Sequence, residues 1–283
     1  MAAACWVRPG DPVAVEATTY PGIIAALTQL GATLVPVAVD EGGMRPDALR
    51  TALASHPVLV YVQSSVHSPT GAVLAEDRRR AIGQLTSDAR VPLIEDLALA
   101  DLAWGALPAP IAATQPDATT VVIGSLGKLF WGGLRLGFAR ATLPVAVRLA
   151  RIKATHDLGT PAVDQLLGER LLASAGTSGY PARRRADLRV RYEAMADGLR
   201  RHVPSWRFCV PRGGLSLWVE LPDAGVGRFA AVAARHGVVV GTPGSVTVGG
   251  DDHAVSGCLL SPPVDLVEAA TERLGRAWST AGH

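Results

Sequence analysis

Lysine is nearly missing from this chain. Of 27 basic residues in 283, only Lys128 and Lys153 are lysine; the other 25 are arginine. Cysteine is sparse as well. Cys5, Cys209 and Cys258 are odd in number, far apart and free of any CxxC spacing, which argues against a disulfide scaffold or a thiolate zinc site and fits a reducing cytoplasm. Long apolar runs are lacking: stretches such as Val58–Val62 extend about five residues, where a bilayer span needs about 20. No charged n-region followed by an apolar h-region opens the chain, so no secretory leader is expected. Charged residues make up 18% against a usual ~25%. The net charge of +2 leaves no broad electrostatic footprint for nucleic acid. No G-x-G-x-x-G follows the first predicted strand and no G-x-S-x-G elbow occurs, which disfavours a dinucleotide-dependent dehydrogenase and a serine hydrolase.

What remains is a cored, globular chain with 48% hydrophobic residues, 30 glycines and 20 prolines. Its length suits one large domain or two modest ones. Where arginine supplies nearly every positive charge, a surviving lysine invites attention. Arginine stays protonated, whereas a desolvated lysine amine can form a Schiff base. Each lysine alone could equally be a remnant, so context has to separate them.

The first 140 residues alternate strand-like and helix-like stretches. Strands are expected at Pro12–Glu16, Thr33–Val37, Val58–Val62, Val91–Glu95, Thr119–Gly124 and Leu134–Ala139. Between them, helical patterns run over Pro21–Leu30, Pro46–Ser55 and Glu76–Arg90. This alternation predicts an α/β fold: a mostly parallel sheet with helices on both faces. Ligands on such sheets sit at the carboxyl ends of the strands. Beyond Pro144 the texture changes. Val145–Ala173 reads as one long helical pattern interrupted near Gly159, Thr160 and Pro161, and Pro181–Val203 as another. The arginines at 183, 184 and 185 on that second helix read as a solvated face with Asp187 and Glu193 nearby. The remainder is a smaller α+β C-terminal region. It has strands at Trp206–Val210, Leu215–Glu220, near Val238–Gly241 and at Val255–Leu260, and helices at Arg228–His236 and from about Pro263 to Trp278. The expected division is 1–145, 146–203 and 204–283.

Four short features fall at the ends of predicted strands. They are Tyr20, the turn Ser68-Pro69-Thr70-Gly71, Asp96, and Ser125-Leu126-Gly127-Lys128 with Arg135 seven residues further on. Each admits a plainer reading: a turn aromatic, ordinary turn chemistry, a helix cap, a surface ion pair. Together they supply an electron-sink site. An aromatic ring can stack on a planar cofactor, a carboxylate can hold a pyridinium proton, and a lysine can form an imine. A serine and an arginine can bind a phosphate.

These residues, with Gly124–Gly137 and Gly213–Val219, resemble the fold-type-I aminotransferases of class I and II that depend on pyridoxal 5'-phosphate (PLP). Within them the chain is most similar to the aminotransferase-like domain of MocR-type regulators of the GntR family. The resemblance implies Lys128 as the Schiff-base lysine, Asp96 at the pyridine nitrogen, Tyr20 stacked on the ring, and Ser125 and Arg135 at the phosphate. Ser68 stands where the family usually has the asparagine that bonds the ring hydroxyl. Ala98 stands where many relatives carry a tyrosine, and Ser256 aligns with the arginine that clamps a substrate carboxylate. Arg212 is a candidate substitute. No metal ligands are implied. An upstream glycine-rich phosphate turn and the regulators' winged helix are not among these residues, so an incomplete large domain and weakened cofactor binding are expected.

Two functions follow as expectations. One is a PLP-dependent enzyme working by Schiff-base chemistry on a small-molecule amino acid or amine, as a cytoplasmic homodimer that touches neither membrane nor nucleic acid. The other is a PLP- or ligand-sensing effector domain of a MocR-type regulator, separated from its DNA-binding part.

Overall fold

A computed structural model describes residues 1–115, 118–222, 225–248 and 262–282, and the backbone of 254–258. In chain order the elements begin β1 (Pro12–Glu16), α1 (Pro21–Gln29), β2 (Thr33–Val37), the short pair β3 (Val39–Asp40) and β4 (Gly43–Met44), and α2 (Pro46–Ala52). Next come β5 (Leu59–Val62), α3 (Glu76–Asp88), β6 (Leu93–Asp96), α4 (Ile111–Thr114), β7 (Thr120–Ser125), α5 (Leu126–Leu129) and β8 (Gly137–Arg140). Three long helices follow: α6 (Leu143–Asp157), α7 (Ala162–Ser178) and α8 (Tyr180–His202). The chain then forms β9 (Arg207–Phe208), β10 (Ser216–Glu220), α9 (Val226–Arg235), β11 (Ala254–Cys258) and α10 (Val264–Thr280).

Six strands make one sheet in the order β2-β1-β5-β6-β7-β8. All neighbours are parallel except β7 and β8, which run antiparallel. Strand alternation divides the side chains between two buried faces. Ala14, Val60, Val62 and Leu93 join Leu49, Ile82 and Ile111 of the helices on one face. Val13, Val15, Leu59, Tyr61, Ile94 and Val121 join Leu27 on the other. Because β1 leads to β2 on one side and β5 lies on the other, the winding reverses between β1 and β5. That crevice, at the carboxyl ends, is where such sheets bind ligands.

A second sheet, β11-β10-β9, is antiparallel. It shares a core with α8, α9 and α10, in which Trp206, Phe229 and Trp278 meet edge to face at 5.2–5.5 Å. This region grips two turns of the large sheet. Thr19 N–H donates to the Val246 carbonyl at 2.7 Å, and the Ser216 hydroxyl donates to the Pro69 carbonyl at 3.0 Å. Gly213 must be glycine here: its φ is +145°, and a Cβ would lie 2.4 Å from the Leu102 carbonyl oxygen.

Several expected boundaries move, each for a local reason. Leu134 is not in a strand, because Gly132–Leu134 form a 3-10 turn and Arg135 is left-handed (φ +49°), so β8 starts at Gly137. The strand near Val238–Gly241 does not form over Val238–Val240. Val238 N–H closes the end of α9 on the Ala233 carbonyl at 2.9 Å instead of entering a ladder. The interruption near Gly159 is a full break: Leu158 and Gly159 take φ of +58° and +139°, and α7 restarts after Pro161. Leu259 and Leu260, expected to end the last strand, lie outside the described residues.

Candidate active site

The four parallel strands β1, β5, β6 and β7 deliver their successors to one edge of the sheet. Tyr20 follows β1 and precedes α1, Ser68 follows β5, Asp96 ends β6, Ser125 ends β7, and Lys128 sits in α5. Lys128 Nζ lies over the Tyr20 ring, 5.5 Å from its centroid. Its charge also acts on Asp96. Tyr20, Asp96 and Lys128 are thus brought together. Ser68 connects to the Tyr20 turn through Gln63, whose Nε2 donates to the Ser68 carbonyl and to Thr19 Oγ1, both at 3.0 Å. Ser125 is the N-cap of α5, the turn that carries Lys128. Arg135 is exposed, and among the described residues no hydrogen bond or ion pair ties it to the other five.

Asp96 is 9% exposed and its carboxylate is held at both oxygens. The Tyr61 hydroxyl donates to Oδ2 at 2.6 Å and the Ala98 N–H donates to Oδ1 at 2.7 Å. Burial pushes the Asp96 carboxyl above its usual range; the hydrogen bonds from Tyr61 and Ala98 and the charge of Lys128 oppose that, while the nearby Glu16 carboxylate reinforces it. Burial, with the charge of Asp96, pushes the Tyr61 phenol well up. Ala98 therefore does contribute, through its backbone, although the side chain expected of many relatives is absent.

Beneath these residues lies a buried polar network that sequence pattern did not single out. Glu16, at 0% exposure, accepts from Thr19 Oγ1 (3.0 Å), Gln63 N–H (3.1 Å) and Gln63 Nε2 (3.3 Å). His67 Nε2 stands 2.9 Å from the Thr18 carbonyl and 3.5 Å from Glu16, and its Nδ1 stands 2.7 Å from Thr70 Oγ1. The Ser68 N–H donates to Gln63 Oε1 at 3.0 Å, across a turn that contains a cis Ser68–Pro69 bond. The network ties the turn bearing Tyr20 to the turn bearing Ser68. A hint existed in the sequence, since Glu16, Gln63 and His67 fall where strand ends meet predicted turns.

Lys153, the other lysine, pairs with Asp157 at 2.6 Å on exposed α6. On α8, Arg184 pairs with Asp187 at 3.4 Å and Arg185 donates to the Asp101 carbonyl at 3.2 Å. Ser256 pairs with Trp218 across β10 and β11, and its side chain lies outside the described residues. Arg212 is exposed; its backbone N–H donates to the Gly71 carbonyl at 2.9 Å. Among the described residues no cluster suited to a metal ion occurs, and no helix is long and apolar enough to cross a membrane.

Known proteins share both the sequence and this architecture. Residues 1–259 match the family "Aminotransferase class I and II". The 2-aminoadipate transaminase of Thermus thermophilus is 32% identical over 219 residues, 75% of this chain and 55% of that protein. The HTH-type transcriptional regulator YisV of Bacillus subtilis is 31% identical over 202 residues, 70% of this chain and 41% of that protein. The chain thus spans about half the length of these relatives. Among solved structures, the α-aminoadipate aminotransferase of Thermus thermophilus, complexed with N-(5'-phosphopyridoxyl)-L-leucine, superposes with a TM-score of 0.91 at 28% identity, over 98% of this chain and 73% of that one. Sequence and fold agree: this chain is a member of the class I and II aminotransferases.

Proposed function

We propose that the chain binds pyridoxal 5'-phosphate at Lys128 and carries out transamination chemistry on a small amino acid or amine. The observation that carries this reading is the buried Asp96 carboxylate, held by Tyr61 and Ala98 and sharing its surroundings with Lys128 and Tyr20. When bound, PLP supplies an electron sink for the charge that develops as a substrate C–H bond breaks.

The residues suit that group. Asp96 has one donor on each oxygen, so lone pairs remain to accept a ring N–H⁺. Tyr20, 40% exposed, offers a ring face for stacking. Among the described residues the Arg135 guanidinium and the Ser125 hydroxyl have no hydrogen-bond or ion-pair partner, which leaves a full cation and a hydroxyl for a phosphate. Ser68, half-buried and with its backbone fixed through Gln63, would offer a short hydroxyl to the ring oxygen. Lys128 would hold the group covalently, and its amine, once released by an incoming amine, would take and return the proton of the substrate carbon. Asp96 would keep the ring nitrogen charged, and Tyr20 would orient the ring.

The reading includes a cytoplasmic homodimer. Leu158 after α6 and Val163, Leu166 and Leu172 on α7 are exposed, which supports an association face there. It also includes a functional division into a cofactor region (1–145), connecting helices (146–203) and a C-terminal region (204–283). Regulators among the relatives favour a second reading: a ligand-sensing effector that uses the same residues without turnover.

The test is a PLP titration followed by borohydride reduction and mass spectrometry. One pyridoxyl group on Lys128 and none on Lys153 is expected, as is formation of an oxo product when an amino acid or amine is added. A spectral response to such ligands without product selects the effector reading. No label on Lys128 at saturating PLP overturns both.

A further inference from the structure

Tyr61 lies in a five-residue apolar run and on a strand face shared with Leu59, Ile94 and Val121, where a phenylalanine would pack as well. Its hydroxyl is the part that needs explaining. At 1% exposure a phenol must find a partner or lose its hydration uncompensated. The partner is Asp96. In the parallel register Tyr61 stands opposite Ile94, so Asp96 is the next residue along β6 on the same face.

We propose that Tyr61 is a positioning residue of the active site, whose phenol fixes the Asp96 carboxylate in one orientation and keeps it ionised for a protonated ring nitrogen. The inference rests on the cofactor placement argued above and assigns the means by which the chain maintains it. The direction of the hydrogen bond is set by its surroundings. Tyr61 faces the negative Asp96 and Glu16 in a buried site, so it keeps its proton and donates. Donation to Oδ2 at 2.6 Å and the Ala98 N–H on Oδ1 at 2.7 Å give the carboxylate two fixed points. A single donor would leave it free to rotate. The groups acting on Asp96 are Tyr61, the Ala98 N–H, Glu16 and Lys128. Glu16 and burial favour the neutral acid, which would not hold a ring proton; Tyr61 is the strongest opposing influence. Ala98 cannot take over this part, because it has no side-chain donor and its N–H is already engaged.

The experiment compares wild type, Tyr61→Phe, Asp96→Asn and a protein carrying 3,5-difluorotyrosine at position 61. In cofactor-free protein, NMR titration of aspartate carboxyl carbons, assigned by Asp96→Asn, reads the Asp96 pKa. Tyr61→Phe should move it upward, and the more acidic difluorophenol should move it downward. A role confined to packing gives neither shift. PLP affinity should fall about tenfold or more in Tyr61→Phe, the loss of one hydrogen bond to a charged group. If Asp96→Asn binds PLP as wild type does, the cofactor placement fails. If Asp96→Asn loses affinity while Tyr61→Phe titrates and binds as wild type, the role of Tyr61 is overturned. Should Tyr61→Phe not fold, the difluorotyrosine protein reads the same coupling with the ring retained, and an unmoved Asp96 titration there overturns the proposal equally.

Discussion

All four residues of β5 are buried, whereas all four of β8 are exposed, although both strands belong to one sheet. The difference continues into the helices. The helices around β5 add Leu27, Leu49 and Ile82 to its two cores, while α6 buries no residue and α7 buries only Gly168. Polar groups divide the same way. Beside β5, Glu16, Gln63 and Asp96 are buried and multiply bonded; beside β8, Arg135 stands exposed with its guanidinium unengaged among the described residues. Asp96 and the Ser68 turn, proposed to meet the ring, are therefore held by buried hydrogen bonds, whereas the cation proposed for the phosphate has no such support among the described residues. Such regions differ in local stability as well as in composition.

The largest contrast should come from Lys128→Ala. Loss of the amine removes the pyridoxyl label and slows transamination by about a thousandfold, a loss typical of a missing nucleophile and proton carrier. Measured oxo-acid formation within tenfold of wild type would remove Lys128 from its role. Next is the core beneath the site. Ile82→Ala, at a fully buried position on α3, should cost about 2–5 kcal/mol in urea unfolding. Arg135→Gln should leave unfolding unchanged but weaken PLP binding by roughly ten- to a hundredfold, as expected for a charged hydrogen bond worth about 1.5–3 kcal/mol. Isothermal titration reads the binding and urea unfolding reads the stability, so the two halves of that statement are checked separately.

A smaller effect depends on pH. Hydrogen bonds from Arg78 hold the Asp40 carboxyl below its ordinary range, joining the β3–β4 pair to α3 at 2.6 and 2.9 Å. A depressed acid contributes stability above its unfolded value, and that contribution is lost as the pH falls through the folded one. The pair is solvent-screened, so Asp40→Asn should cost no more than about 1 kcal/mol at pH 7. The difference from wild type should vanish well below pH 3.9, the ordinary aspartate value. Smallest of all, Leu166→Ala on exposed α7 should change monomer unfolding by no more than about 0.5 kcal/mol. A larger loss there would show that α7 is packed as firmly as α3 and would dissolve the contrast.

What could be read from the sequence follows the same contrast. Pro12–Glu16 and Thr33–Val37 form strands with the expected ends, because β-branched runs bounded by proline and glycine specify them locally. Lys128, Asp96 and Tyr20 stood out because each follows such a run. The Tyr61–Asp96 bond could not be read, since its partners are 35 residues apart and meet only through strand register. Arg79 shows the same limit. Its place in a charged helix start suggests exposure, yet it is 1% exposed and donates to the carbonyls of Leu74, Ser64 and Ala109. Buried polar groups of this kind are satisfied by distant backbone, which leaves no periodic trace.

The contrasting settings of the two lysines have a practical consequence for proteolysis. A protease cutting only after lysine divides the chain into 1–128, 129–153 and 154–283. Lys153, partly exposed on α6 and paired with Asp157, remains a cleavage site whether or not the cofactor is attached. A side chain alkylated at Lys128 is no longer recognised, so fragments 1–128 and 129–153 stay joined as one piece. A single denaturing gel then counts occupied subunits directly, with the cut at Lys153 as its internal standard.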